Sequence, residues 1–394
     1  MKILQINSAK NFGGGEKHLL DLARGLKVAG HTVFFALRRG NRWNTKLNSF
    51  DPSDIFLLPL RNACDLPSAW QLAKIIRQNM IEIVHAHTAR DYPLAVLAAR
   101  LAGNSAQVVL TRHVLFPLKS IHKFLLRRVS AVIAVSQAVK NQLTEQRVFP
   151  PEKIKCVPNA AGSDGSAAES KRRLGAEFRR QYRIAPNELL VTTVGELKFL
   201  KGQSDFLRAA EIVSRKFPNA KFAVVGQDNS REREFKRSLE HFAHRSNLRD
   251  KILWLGFVDD LSSVLQATDV FVSPSHTESF GMAILEAMIA AKAIVATKTA
   301  GAGELLRNNE TGKLVAIQNY REIAAAISDL LKLTSLRTRL GESAAVAARL
   351  NFSIDRMISL TENIYFQCRV ENMTDRSLTI FGRNLIKYNA SSRS

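Results

Sequence analysis

With 394 residues, 46% of them apolar, the chain is too long for one ordinary core and fits about two domains, which implies a cleft between them. Its 57 Lys+Arg against 35 Asp+Glu give a formal charge of +22, a balance that favours an anionic partner and leaves nucleotide, nucleic acid and acidic lipid all open. The scattered cysteines Cys64, Cys156 and Cys368 have no metal-ligand or framework spacing, and no apolar run approaches the roughly 18 residues of a membrane span, so the expectation is a reducing, cytoplasmic home without signal peptide or transmembrane helix.

In chain order, "KILQI" (2–6) reads as a short buried strand, followed by the loop "NSAKNFGGGEK" and a helix carrying Leu19, Leu20, Ala23 and Leu26 on one face up to Gly30. The alternation continues through the strands "HTVFFAL" and "IEIVHAH" (81–87), the helix "YPLAVLAARLAG", the strand "QVVLT" (107–111), a helical "KSIHKFLLRRV" and the strand "AVIAVS" (131–136). Residues 157–170 turn small and polar without periodicity, as an interdomain linker does. A second winding follows: "LLVTTVG" (189–195), a helix from about Ser204 to Lys216, "KFAVVG" (221–226), a charged helix after Arg231, "ILWLG" (252–256), "DVFVSPS" (269–275), a helix from about Met282, and "AIVAT" (293–297). Strands alternating with helices call for parallel sheets covered on both faces, so the architecture expected is α/β, two doubly wound Rossmann-like domains facing across a cleft.

In such sheets ligands gather outside the carboxyl ends of the strands. Glu278 falls in the loop after "DVFVSPS", and Glu286 in the second turn of the helix that Gly281 lets begin. The backbone N–H groups of Phe280, Gly281 and Met282 at that helix start suit an oxyanion or diphosphate, worth about 0.3 to 2 kcal/mol per charge. Acids beside a phosphate would repel it, unless they accept hydrogen bonds from hydroxyls. A ligand with hydroxyls on both sides of a diphosphate is a nucleotide-sugar.

The chain here resembles the retaining glycosyltransferases of family four, which have the GT-B fold, over about residues 1–368. Within "PSHTESFGMAILEAM", Glu278 and Glu286 match the family's Glu-x7-Glu signature, and "TAGAGELL" (299–306) is similar to its Gly-Gly-x-x-Glu segment, with Gly301 and Glu304 in register. "SAKNFGGGEKHLLDLARGL" is similar to the N-terminal glycine loop, "IEIVHAH" to the Val-His-x-His strand, "AVIAVSQAVK" to the Ala-Val-Ser segment and "KIKCVPNA" to the approach to the linker. The resemblance implies roles. Gly14 and Gly15 would let backbone approach the donor phosphates and acceptor, Glu286 would hold the ribose, Glu278 would contact hydroxyls of the transferred sugar, and His113 would contact a sugar hydroxyl. Lys201, in "LKFLKGQ", would neutralise the leaving diphosphate of a UDP- or GDP-linked donor, which is a substrate rather than a cofactor. A fixed lysine and a helix start can stabilise that leaving group without a metal, and the chain has no Asp-x-Asp motif, so no metal is expected. The resemblance also implies an N-terminal acceptor-binding domain over 1–165, a nucleotide-sugar domain over 166–345, a helix over 346–368 crossing back to the first domain, and a basic polar tail over 369–394.

One departure bears on strength. Where the family places an arginine that clamps the diphosphate together with the lysine, "GELKFLKG" has Glu196, which must turn away, pair with a cation such as Lys198, or bind something else. His85 and His87, on one face at a strand end, read as satisfied core or rim histidines.

Residues 1–165 hold 23 Lys+Arg and 10 Asp+Glu, so the acceptor half is the more basic. Within it, "FPLKSIHKFLLRRVSAV" (116–132) sets Ile121, Phe124, Leu125 and Val129 against Lys119, Lys123, Arg127 and Arg128, a face suited to the inner surface of the cytoplasmic membrane and a glycan or lipid-linked acceptor, or else a half-buried helix with a solvated basic side. Transfer to cell-surface polysaccharide or lipopolysaccharide is the implied use. The alternatives are a catalytically silent relative that binds nucleotide-sugar, an NADP-dependent oxidoreductase using Arg38 and Arg39, and a nucleic-acid binder. The last two lack a full G-x-G-x-x-G and an aromatic platform, so neither NADP nor nucleic acid is the partner expected.

Overall fold

The structure, a computed structural model, describes residues 1–370 apart from 104–105, 163–167 and 247. The tail expected to reach Ser394 lies outside the described residues from 371 onward. The chain divides into an N-terminal unit of residues 1–158 closed by a helical segment over 354–370, and a C-terminal unit of residues 159–353.

The N-terminal unit is built on a parallel sheet of β1 (Lys2–Asn7), β2 (Thr32–Arg38), β3 (Ile55–Leu58), β4 (Ile83–Ala86), β5 (Gln107–Arg112), β6 (Ala131–Ala134) and β7 (Ile154–Cys156). The spatial order is β3-β2-β1-β4-β5-β6-β7. Helices cover both faces, so β4 and β6 are buried at every residue and carry apolar runs rather than an alternating pattern. The order reverses between β1 and β4, where Gln5 and His85 stand side by side in register. Ile358 of the closing helix packs so tightly over Gly25 that a β-carbon there would meet its Cδ1 at 2.4 Å. Glu362 bonds His31 at 2.7 Å, and the Tyr365 hydroxyl lies 2.6 Å from Nδ1 of His85 inside the sheet's own core.

The C-terminal unit repeats the plan with β8 (Leu189–Val194), β9 (Ala220–Val225), β10 (Ile252–Gly256), β11 (Val270–Ser273), β12 (Ala293–Thr297) and β13 (Lys313–Val315), in the order β10-β9-β8-β11-β12-β13. Its strands are parallel, and the reversal falls between β8 and β11, where Val191 pairs with Val270. Phe206, Phe222, Val191, Val224, Val270 and Ile327 form the centre of one face's core.

Four differences from the expected outline have physical causes. β3, β7 and β13 were not foreseen: all stand at sheet edges, β7 and β13 are only three residues long, and β3 is a four-residue apolar run. The polar stretch to 170 already contains the start of a helix, Ala168–Gln181, and the first unit ends at 158 rather than 165. Residue 346 is not the start of the closing helix but the interior of the helix Thr334–Asn351, which packs on the C-terminal unit through Gly341, where a β-carbon would stand 2.2 Å from the Ala291 carbonyl oxygen. The segment read as helical over 119–129 is reduced to one short helix, Ile121–Leu125, with no buried residue. Its apolar side chains point outward, and Leu126 and Val129 behind it supply the core contact.

Candidate functional site

A reversal of strand order leaves a crevice at the carboxyl edge of a parallel sheet, because the connections on either side depart to opposite faces. In the C-terminal unit the two strands at that point deliver the two most strongly marked residues. β8 runs into Gly195 and a single 3-10 turn, Phe199–Lys201. β11 runs into the loop that carries Ser275, His276 and Glu278.

Gly202 fixes the distance between these two loops. Its φ is +68°, and a β-carbon on it would fall 1.9 Å from the Pro274 carbonyl oxygen, so only glycine permits the approach. The His276 backbone N–H then donates to the Leu200 carbonyl at 2.9 Å, and His276 Nε2 meets Asp205 Oδ2 at 2.7 Å. Held this way, the Lys201 ammonium donates to the Glu278 carboxylate, which also accepts from the Ser275 hydroxyl at 2.9 Å. The side chains of Lys201 and Glu278 are 25% and 14% exposed, so Lys201 is not a freely solvated surface lysine.

A third segment closes on the same loop. Gly301 lies so near Phe280 that a β-carbon would be 2.6 Å from the Phe280 carbonyl oxygen, and its N–H donates to the Glu278 carbonyl at 3.0 Å. The Phe280 side chain is buried against Phe352, with ring centroids 5.7 Å apart, so only its backbone is available to a ligand. Gly281, with φ +103°, opens the helix Met282–Ile289, and no side chain caps that start. Glu286 is half-buried in the helix's second turn.

Glu196 resolves in favour of pairing with a cation. Its carboxylate bonds Lys198 Nζ at 2.6 Å and Asn229 Nδ2 at 3.1 Å. Partial burial pushes this carboxyl up, but the hydrogen bonds from Lys198 and Asn229 together with the charges of Lys198 and Lys201 outweigh it and hold it below the usual carboxylate range.

In the N-terminal unit, Gly13 precedes the helix Gly14–Val28, whose start also has no side-chain cap. Neither Gly14 nor Gly15 has a positive φ, so the backbone conformation does not require glycine at either position. A β-carbon at Gly15 would stand 3.8 Å from the His113 ring. Glu16 accepts from Asn7 Nδ2 at 3.1 Å, and burial pushes its carboxyl up. His18, His87 and His113 form a triangle with ring centroids 5.0 to 6.0 Å apart, and His85 lies 4.2 Å from His87. Burial, reinforced by the neighbouring imidazoles, holds His87 and His113 well below the ordinary histidine range, and His85 down to about 3.

The structure thus joins Lys201 to Glu278, ties Gly301 to the loop that carries Glu278 and Phe280, and places His113 beside Gly15. Sequence reasoning passed over Gly202, Ser275, His276 and Asp205, although the Lys-Gly step after a strand marks the first of these. It also passed over His18, which lies one helical turn after Gly15 on the same inward face as Leu22.

Comparison with known proteins covers most of the chain. A model of the family "Glycosyltransferase Family 4" matches residues 12–161, and one of "Glycosyl transferases group 1" matches residues 176–346. The chain is 27% identical to the N-acetyl-alpha-D-glucosaminyl L-malate synthase of Bacillus anthracis over 312 residues, covering 77% of this chain and 79% of that one. It is 28% identical to a lipopolysaccharide core biosynthesis mannosyltransferase of Rhizobium leguminosarum over 246 residues, 62% of this chain and 66% of that one. Its fold is similar to the crystal structure of Anabaena HepE in complex with UDP-glucose, with a TM-score of 0.81 at 22% identity, covering 92% of this chain and 99% of that one.

The neutral histidines have a consequence for pH. Their folded pKa values lie below the unfolded value near 6.5, so their contribution to stability is complete above about pH 6.5 and is lost as pH falls, because the unfolded chain then binds protons that the folded one excludes. In metal-free buffer the N-terminal unit is expected to lose stability as pH falls from 7 to 5, with a limiting slope of roughly 1.4 kcal/mol per pH unit for each buried imidazole. Denaturant titrations at a series of pH values check this, and a flat profile over that window contradicts it.

Proposed function

The chain belongs to the glycosyltransferases of family four, and from that premise we propose that it moves a hexose-type sugar, with retention of anomeric configuration, from a UDP- or GDP-linked donor to a glycan or lipid-linked acceptor in cell-surface polysaccharide or lipopolysaccharide synthesis. The observation that carries this reading is the pairing of Lys201 with Glu278 at the point where the C-terminal sheet reverses its order.

That pair can be exchanged for a donor group by group. A diphosphate brings negative charge that competes with the carboxylate for Lys201, and the uncapped start of the helix Met282–Ile289 supplies backbone donors for the remaining phosphate oxygens. Glu278, released, accepts hydrogen bonds from hydroxyls of the sugar, and Glu286 accepts from the ribose. On the N-terminal unit by itself, His113 and the backbone at Gly14 and Gly15 are the groups offered to a sugar hydroxyl, a phosphate or the acceptor. As the glycosidic bond to the donor breaks, charge builds on the leaving diphosphate, and a lysine already held in place stabilises it without reorganising. The chemistry needs no metal on this account. Glu196, bound to Lys198, removes the second clamp that an arginine would provide, which favours a slower enzyme and keeps a silent nucleotide-sugar binder as the second reading.

The membrane half of the proposal rests on Phe116, Ile121 and Phe124, which are 62%, 61% and 76% exposed next to Lys119, Lys123, Arg127 and Arg128. No helix among the described residues is long and apolar enough to cross a membrane. Cations near anionic headgroups contribute about 1 kcal/mol each, and the exposed rings give the face an apolar foot.

A panel of nucleotide-sugars scored by thermal shift identifies the donor, since a ligand at 100 times its Kd stabilises the fold by about 2.7 kcal/mol. With that donor, Lys201→Ala is expected to lower kcat by roughly a hundredfold to a thousandfold. Binding without transfer supports the silent reading, and unchanged transfer in Lys201→Ala contradicts the role given to the lysine. Co-sedimentation with phosphatidylglycerol vesicles is expected to weaken with added salt and with Phe124→Asp, whereas no co-sedimentation at any ionic strength contradicts the docking face.

A further inference from the structure

Four of the chain's nine histidines gather at the order reversal of the N-terminal sheet, and their hydrogen bonds divide them into two kinds. His85 is engaged through both ring nitrogens, with the Tyr365 hydroxyl at Nδ1 and the Thr111 hydroxyl at Nε2, each 2.6 Å away. His87 is different. Its Nε2 lies 2.7 Å from Oε1 of the buried Gln5, an oxygen that can only accept, so Nε2 carries the proton and Nδ1 presents a lone pair. That Nδ1 is buried and has no hydrogen-bond partner among the described residues.

We propose that His18, His87 and His113 form a binding site for a zinc-class divalent cation on the N-terminal unit. One ligating nitrogen from each of the three lies within 4.8 Å of the other two. Imidazole nitrogens sharing a tetrahedral zinc at about 2.0–2.1 Å stand about 3.3 Å apart, so modest rotation of the three rings closes the set. Three histidines with a fourth position left to solvent or a small ligand is a donor set that zinc, copper and nickel accept, and it does not suit magnesium or calcium, which require oxygen. The Gln5 contact is what a metal-bound imidazole needs behind it: an acceptor that fixes the tautomer and aims the opposite nitrogen. His18 and His87 are 2% and 3% exposed, and His113, half-buried as a residue, also has both ring nitrogens buried.

The three ligands come from three separate connections: the helix after β1, the end of β4, and the end of β5. A cation there would also occupy His113. Metal and sugar would then exclude one another at that imidazole, a consequence that rests on the role proposed for His113 above. The site itself is tested without donor, acceptor or activity, so its failure and the failure of that reading are separable.

The test is a cobalt titration of the full-length, chelator-stripped protein carrying Cys64→Ser, which removes the exposed thiol. The expected result is a saturable one-to-one visible d–d spectrum of a four-coordinate ion, displaced by Zn2+ and lost in His18→Leu and in His87→Gln. Circular dichroism of the metal-free variants checks that each remains folded. The absence of a saturable spectrum from the protein with all three histidines overturns the site whatever the variants do, as does binding of unchanged strength and stoichiometry in a folded His18→Leu.

Discussion

The close approach of Gly202 to the Pro274 carbonyl is the constraint on which the C-terminal site depends. It brings the loop after β8 within hydrogen-bonding distance of the loop after β11, and the His276–Leu200 backbone bond and the His276–Asp205 contact secure the join. A lysine and a carboxylate are thereby placed together at the edge of a parallel sheet, where both are largely removed from water yet remain reachable. Such a pair contributes little to stability by itself, because the desolvation of two charges offsets much of their attraction. On the function proposed, its physical significance is as a store of preorganised charge, one member of which is handed to an incoming anion.

The N-terminal unit uses the same geometric opportunity for different chemistry. Its reversal point holds neutral imidazoles and a buried glutamine instead of an ion pair. Burial keeps the rings uncharged, and the closing helix contributes Tyr365 to the same polar core. Membership of the glycosyltransferases of family four accounts for the doubled architecture, and within it His18 joins His87 and His113 in one triangle.

What could be read from the sequence follows burial. The central strands β1, β4, β8, β11 and β12 lie in apolar stretches because both faces are covered, and each falls in the segment read for it, although β4 and β11 occupy only Ile83–Ala86 and Val270–Ser273 of the longer runs expected at 81–87 and 269–275. β7 and β13 were not legible, since a three-residue edge strand imposes little run to detect, and β3 was missed although Ile55–Leu58 is apolar throughout. The Glu278–Glu286 spacing was visible, as was the helix that separates them. That Glu278 holds Lys201 was not, because the contact depends on a glycine 76 residues before it in sequence, whose only requirement is the absence of a side chain. The paired histidines at 85 and 87 illustrate the same limit: period two puts them on one face, but only the position of Gln5 and Tyr365 separates a satisfied core histidine from one with a lone pair to offer.

The claim that Lys201 exchanges a carboxylate for a diphosphate is tested most directly by calorimetric titration of UDP and GDP into the protein, Glu278→Gln and Lys201→Met. The account predicts that the nucleotide bound by the unsubstituted protein binds Lys201→Met at least about tenfold more weakly, and binds Glu278→Gln more tightly because the competing carboxylate is gone. Equal affinity in all three proteins, or weaker binding in Glu278→Gln with no change in Lys201→Met, would contradict it.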